Sequence, residues 1–189
     1  TLKNLGWKLG TAADDSLNGD SNNNILMGLS GNDKLYGNNG SDTLIGGAGN
    51  NYLESGTQGD TYVFAKGHGQ DTVYDYSYAT EGDDTVRFTD IASTEVKFRK
   101  NSSNLTVFGY NGDDSVTIKD FFSSSYARIE HFEFQDGILS NPDFARFSQM
   151  ANNLGQAMSV FGVQAVSSEN SNAPADLSTK PILTLSPLS

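Results

Sequence analysis

From Gly10 to Val63 an apolar side chain returns at every ninth residue: Leu17, Leu26, Leu35, Leu44, Leu53 and Tyr62. A fixed period held over six units marks a solenoid, in which each unit stacks on its neighbours. Glycine opens most units, at Gly10, Gly19, Gly28, Gly37 and Gly46, with Ser55 opening the sixth. A second glycine follows three residues later at Gly31, Gly40 and Gly49. Glycine and asparagine tolerate positive φ, so positions one to six predict a turn. Positions seven to nine predict a short strand. Side chains alternate along a strand, which turns the eighth position inward and its flanks outward.

Past Val63 the period slips, and strict alternation replaces it. "EVKFRK" (95–100), "NLTVFGY" (104–110), "DSVTIKDFF" (114–122) and "RIEHFEFQDG" (128–137) predict strands, with "NGDD" (111–114) a hairpin turn. These predict a small antiparallel region capping the solenoid. "NPDFARFSQMANNLGQAMSVFG" (141–162) has a helix start at Asn141-Pro142-Asp143 and apolar residues at helical spacing. From Val163 the chain turns to serine, asparagine, alanine and proline, which predicts disorder. The segments are thus a flank over 1–9, a solenoid over 10–74, a cap over 75–140, a helix over 141–162 and a tail over 163–189. A chain that begins with Thr1 reads as a piece of a longer protein.

The apolar column alone does not hold such a structure together. Burying one leucine contributes about 1.5–3 kcal/mol, whereas ordering nine residues costs roughly 1–2 kcal/mol each in backbone entropy. The turns must supply the difference. Their sixth position reads Asp15, Asn24, Asp33, Asp42, Asn51, Asp60. Stacked turns set these acids over one another, which is repulsive unless a cation lies between them. Turn carbonyls and carboxylates form an all-oxygen donor set, and Ca²⁺ accepts six to eight oxygens in flexible geometry where Mg²⁺ demands a strict octahedron.

Charge points the same way. The 189 residues carry a formal net charge of −11. Such a chain repels itself and is a poor partner for nucleic acid or an anionic membrane. No apolar run approaches the length of a membrane span, and there is no cysteine for disulfides or thiolate metal sites. His68 and His131 lack metal-ligand spacing, and no catalytic constellation stands out, so an enzyme is not expected. An EF-hand fails because Ile25 follows Asn24 where that loop requires glycine. A flexible linker would share the composition but not the phase of the leucines, and a metal-free β-solenoid is a further alternative.

"GLSGNDKLY" (28–36) and "GGAGNNYLE" (46–54) resemble the nonapeptide of the RTX (repeats-in-toxin) family. "YVFAKGHGQDTVYDY" (62–76) and "VKFRKNSSNLTVFGYNGDDSVTIKDFF" (96–122) resemble the post-repeat segment of iron-regulated FrpC-type and Apx-type RTX toxins. The resemblance implies a parallel β-roll with two repeats per turn and several Ca²⁺ ions, each between repeat n and repeat n+2. The implied side-chain ligands are Asp15, Asn24, Asp33, Asp42, Asn51 and Asp60, with Asp71 completing one more site. The implied carbonyl ligands are Gly28, Ser30 and Gly31, then Gly37, Asn39 and Gly40, then Gly46, Ala48 and Gly49. Repeat one lacks the second glycine, and Asn24 and Asn51 bring no charge, so Asp42 and Asp60 rank first; a Gly-x-Asp-Thr-Val echo sets Asp71 and Asp84 where the sixth column would be, and Asp84 reads as an ordinary turn acid.

The resemblance further implies a secreted, monomeric module, unfolded in low calcium and folded outside the cell. Its "LSTKPILTLSPLS" tail (177–189) would engage a type I secretion ABC transporter. The alternative function is a host-surface or adhesin-type binding domain, for which Tyr74, Tyr76, Tyr78 and Phe121 are the available aromatics. Two structural expectations complete the reading. Trp7 plugs the open end of the roll, and the post-repeat segment covers the outer face carrying Met27, Ile45 and Val63.

Overall fold

A computed structural model describes residues 6–76, 82–123 and 129–140, and these residues form fourteen strands and no helix. The helix expected over 141–162 and the tail over 163–189 lie outside the described residues. Strands β1 (Trp7–Leu9), β3 (Ile25–Ser30), β5 (Thr43–Ala48) and β7 (Thr61–Phe64) pair in parallel on one side. Strands β2 (Ser16–Asn18), β4 (Lys34–Asn39), β6 (Tyr52–Thr57) and β8 (Gln70–Tyr74) pair in parallel on the other. The register sets Leu26 beside Leu44 and Leu35 beside Leu53, so two repeats make one turn. All four leucines are fully buried. The protein is a parallel β-roll.

The strands are longer than the three residues the spacing predicts. β3 to β6 run through positions seven to nine and on into the first three positions of the next unit, where Leu29 pairs with Gly47 and Asn38 with Gly56. The bend lies inside the strand, at position two, where Leu29, Asn38, Gly47 and Gly56 all have positive φ. Leu29 is the costly member of this column, with φ of 82° and 41% exposure.

Both sheets continue through the post-repeat segment. β9 (Thr85–Phe88) and β13 (His131–Phe134) extend the first sheet in parallel, and β14 (Gly137–Ser140) closes it antiparallel. β12 (Ser115–Ile118) extends the second in parallel, followed by antiparallel β11 (Asn104–Phe108) and β10 (Lys97–Asn101). The inward column therefore runs on as Tyr62, Val86 and Phe132 on one side, and Val73 and Ile118 on the other. The opener column changes character over the same stretch. Register places Gly10, Gly28 and Gly46 in line with Phe64, Phe88 and Phe134. The three phenylalanines are buried, with ring centroids 5.8 Å and 5.3 Å apart along the column.

Two expectations are corrected. Trp7 does not plug the roll: it falls at position seven, where alternation turns it to the outer face, and it is 37% exposed. Lys8 takes the inward position beside Leu26, half-buried. The described residues of the post-repeat segment, 82–123 and 129–140, lengthen the two sheets and do not cover the outer face. Met27, Ile45 and Val63 are half-buried, as are Tyr36 and Glu54 on the opposite face.

Position two offers a direct test. A Cβ at Gly47 would run into the Leu29 carbonyl oxygen, and φ there is 89°. Gly47→Ala is expected to destabilise the calcium-loaded roll by about 2 kcal/mol or more, while Leu29→Gly stabilises it by about 1 kcal/mol. Denaturant midpoints of the two variants decide this; opposite signs would mean that the bend is set elsewhere.

Candidate metal centre

The sixth-position side chains stack the turns through one of their two terminal atoms. Along one edge Asp33 Oδ1 accepts the Asp15 N–H at 2.7 Å, Asn51 Oδ1 the Asp33 N–H at 2.9 Å, and Asp71 Oδ1 the Asn51 N–H at 2.7 Å. Along the other, Asp42 Oδ1 accepts from Asn24 at 2.7 Å, Asp60 Oδ1 from Asp42 at 2.6 Å, and Asp84 Oδ1 from Asp60 at 2.7 Å. Each bond joins repeat n to repeat n+2. Asparagine does this work as well as aspartate, so the Oδ1 bond does not explain the acids.

The other oxygen does. Asp33 Oδ2, Asp42 Oδ2 and Asp60 Oδ2 are buried without a hydrogen-bond partner. Such an atom costs about 1–3 kcal/mol or more when nothing answers it. Its surroundings are acceptors. A Cβ on Gly37 would stand 2.5 Å from Asp42 Oδ2 and 2.7 Å from the Ser55 carbonyl oxygen; on Gly28 it would meet Asp33 Oδ2 and the Gly46 carbonyl. The opener is therefore glycine because the carboxylate and the carbonyl two repeats on converge over its Cα. Asn51 reveals more of the lining, since its Nδ2 donates to the Gly47 and Gly49 carbonyls at 3.3 Å and 3.4 Å. A donor is what this place accepts. Over Gly28 and Gly37 the atoms beside the Asp33 and Asp42 carboxylates are oxygen acceptors, and burial raises the Asp33 carboxyl, takes Asp42 up to about 6 and takes Asp60 up to about 8. A proton or a hard cation relieves this arrangement, and the donor set suits Ca²⁺.

The other predicted residues fall into distinct situations. Asp15 Oδ2 is satisfied by the Thr11 N–H at 2.6 Å and the Thr11 hydroxyl at 2.8 Å, and Asn24 exchanges hydrogen bonds with Asp20. Gly31, Gly40 and Gly49 supply the second positive φ of each turn. Ser30, Asn39 and Ala48 are exposed; the Ala48 carbonyl is taken by the Gly31 N–H at 3.0 Å. Asp71 joins the stack, but its Oδ2 lies 2.7 Å from His68 Nδ1, and His68 Nε2 lies 2.8 Å from the Tyr110 hydroxyl. A buried histidine thus stands where the other turns leave an acceptor unanswered. Asp84, expected as an ordinary turn acid, is buried and belongs to the stack, and it brings Asp75 with it: carboxylate oxygens of Asp60, Asp75 and Asp84 lie within 4.8 Å of one another. Gly82 and Val86 flank Asp84 at the repeat spacing, the signal that sets it in the sixth column despite the residues inserted after Val63.

Comparison with known proteins identifies the repeats. Residues 9–35, 18–53 and 27–62 match the RTX calcium-binding nonapeptide repeat, in four copies. The chain carries RTX repeats. Residues 104–139 match the haemolysin-type calcium binding protein related domain, so an RTX-associated segment follows the repeats. The iron-regulated protein FrpA of Neisseria meningitidis serogroup C is 43% identical over 97 residues, covering 51% of this chain and 8% of that protein. The solution structure of the AlgE6R3 subunit of the Azotobacter vinelandii mannuronan C5-epimerase is similar with a TM-score of 0.43 and 23% identity, covering 57% of this chain and 71% of that one.

The raised carboxyls set the sign of a pH effect. An aspartate titrates near 4 when unfolded. With folded values of about 6 for Asp42 and about 8 for Asp60, both favour the metal-free fold at low pH. That contribution is complete below the unfolded value and is lost as pH rises through the folded ones. Thermal melts in EDTA should therefore give a lower Tm at pH 8 than at pH 5. Calcium displaces the protons, so its stabilising effect should grow over the same interval. A higher Tm at pH 8 in EDTA would contradict the buried, unanswered Oδ2 atoms.

Proposed function

We propose that this RTX segment is a calcium-dependent folding module serving export of a larger protein. The observation that carries the reading is the set of buried Oδ2 atoms without donors in the turns of Asp33, Asp42 and Asp60. Without cations a chain of net charge −11 must bury these oxygens against one another's field, which favours the extended state. Calcium binding becomes folding free energy, because the site exists only in the stacked turn. An extended chain suits passage through a narrow secretion duct, and folding in extracellular calcium opposes its return. In this reading the module is monomeric, extracellular and non-enzymatic, holds several Ca²⁺ ions, and neither inserts into membranes nor binds nucleic acid. The ligands are the sixth-position oxygens with turn carbonyls. The alternative, a host-surface binding domain, has less to draw on: Phe121 is buried, Tyr74 is half-buried beneath the Lys119 ammonium, Tyr76 is exposed, and Tyr78 lies outside the described residues.

Circular dichroism decides the core of the proposal. Roughly 1 mM Ca²⁺, the affinity range of extracellular modules, should add β structure to the spectrum recorded in EDTA. Identical spectra would end it. Asp42→Ala removes an unanswered carboxylate, whereas Asn51→Ala removes an amide that is already satisfied. The calcium midpoint should rise more for Asp42→Ala; equal shifts would mean that carbonyls alone set the affinity.

The tail is proposed as the signal for type I secretion, separable from folding. Deleting residues 165–189 should leave the calcium midpoint unchanged and abolish export through a type I system. Export at the wild-type yield would exclude the tail as the signal.

A further inference from the structure

The opener column on the second edge reads Gly19, Gly37, Ser55, Asp75, aligned by the pairing of β2, β4, β6 and β8. Facing it are the sixth-position residues Asn24, Asp42, Asp60 and Asp84. At Gly37 the missing side chain leaves room for Asp42 Oδ2. At the two following turns that room holds a side chain instead. Ser55 is fully buried, and its Oγ donates to Asp75 Oδ1 at 3.1 Å while accepting from the Tyr62 hydroxyl at 2.6 Å. Asp75 is fully buried and is oriented by this relay. Its carboxylate meets those of Asp60 and Asp84 within 4.8 Å, and both are 1% exposed. Asp60 Oδ1 is committed to the Asp42 N–H, and Asp60 Oδ2 is buried with no partner.

We propose that Asp60, Asp75 and Asp84 form an enclosed Ca²⁺ site at the inner end of this edge, in which the opener contributes a side-chain carboxylate where the other turns have glycine. The inference rests on the calcium reading of the repeats and adds to it a ligand outside the nonapeptide pattern. Three carboxylates oppose the ion's charge here, against the single Asp42 carboxylate that stands over Gly37 beside the Ser55 carbonyl. Charged-ligand count and rigidity both raise calcium affinity, and this site has the more of each. It is the tightest site in the roll and the last to empty on chelation. The opposite edge ends differently, with His68 on Asp71 Oδ2 and Phe64 in the opener position, which leaves no matching site there. A trivalent lanthanide matches the three negative charges and reports through tyrosine, and the Tyr62 hydroxyl is one hydrogen-bonded atom removed from Asp75.

The test uses the full chain at pH 7.5 with Ca²⁺ and Tb³⁺ as probes. Calorimetry and dialysis give stoichiometry and affinity classes, and Tb³⁺ emission excited through tyrosine gives the order of release. Asp75→Asn should weaken the tightest ion by roughly tenfold or more, since it removes one charged ligand. The exposed Asp83→Asn should not. Asp75→Gly should restore an ordinary turn, keeping the total number of ions but moving the tight one into the weaker class. Ser55→Ala keeps all three carboxylates and loosens only the relay; it should give a smaller loss, and it serves as the readout if Asp75→Asn does not fold by circular dichroism. A tight class unmoved by Asp75→Asn, or by Ser55→Ala in that event, overturns the proposal. So does an additional ion bound by Asp75→Gly, which would mean that the Asp75 side chain occupies the place of an ion. A wild-type chain that binds no calcium sinks the reading of the repeats themselves, and binding that is indifferent to position 75 sinks this inference alone.

Discussion

The structure depends on one oxygen per turn. A sixth-position aspartate uses Oδ1 to hold the preceding turn of its edge, and the same geometry buries Oδ2 among acceptors. The two halves of one carboxylate therefore act in opposition: the first assembles the stack, and the second prevents it from being stable as an anion alone. Asparagine at position 51 removes the opposition by offering a donor, and the turn closes on its own carbonyls. An aspartate at the same position offers no donor, and at Asp33, Asp42 and Asp60 it leaves a buried acceptor unanswered.

The second half of the molecule carries a different core. Past Val63 the opener column on the first edge becomes Phe64, Phe88 and Phe134, and the inward column adds Phe132 and the buried Tyr62. Aromatic side chains bury far more apolar area than the single leucine of a repeat, so this half has an ordinary core. Its polar closures are also internal: His68 answers Asp71, and Glu130 Oε2 accepts the Asp84 N–H at 2.8 Å. In a solenoid each unit is stabilised by its neighbours, so an end with its own core supplies the first neighbour that an ion-dependent turn needs. The continuity of both sheets across the junction is what transmits it.

Much of this was legible in the sequence, because a nine-residue period fixes both the inward leucines and the facing acids once two repeats make a turn. The pairing of Asp15 with Asp33 and of Asp42 with Asp60 follows by counting from the two repeats per turn that the family resemblance implies. Past Val63 the step along the edge grows from 18 to 20 at Asp71 and to 24 at Asp84; the Gly-x-Asp-Thr-Val echo still sets both acids in the sixth column, but no period in the sequence brings Asp75 to Asp84. The positive φ at position two was hidden for another reason. Leucine and asparagine hold that column at Leu29 and Asn38, and neither announces a left-handed bend as glycine does. Trp7 was misplaced by treating a large apolar residue at an end as a plug. Phase, not size, decides which way a strand residue points, and the phase put Lys8 inside.

The opener position shows how few residues separate three kinds of turn. The backbone there is the same object from Gly10 to Phe134, carried from turn to turn by an unbroken register. Glycine leaves the space over its Cα to a carboxylate and a carbonyl, and so to a cation. Phenylalanine fills the space with core and needs no ion. Serine and aspartate, on the other edge, put polar atoms of their own into it, so the fold keeps the geometry of the ion-dependent turn while changing the source of its ligands. The chemistry of each turn is thus set by the size and polarity of one side chain, on a scaffold whose hydrogen bonds are indifferent to the choice. That indifference lets a single β-roll join glycine-opened turns to an aromatic-cored half without a break in either sheet.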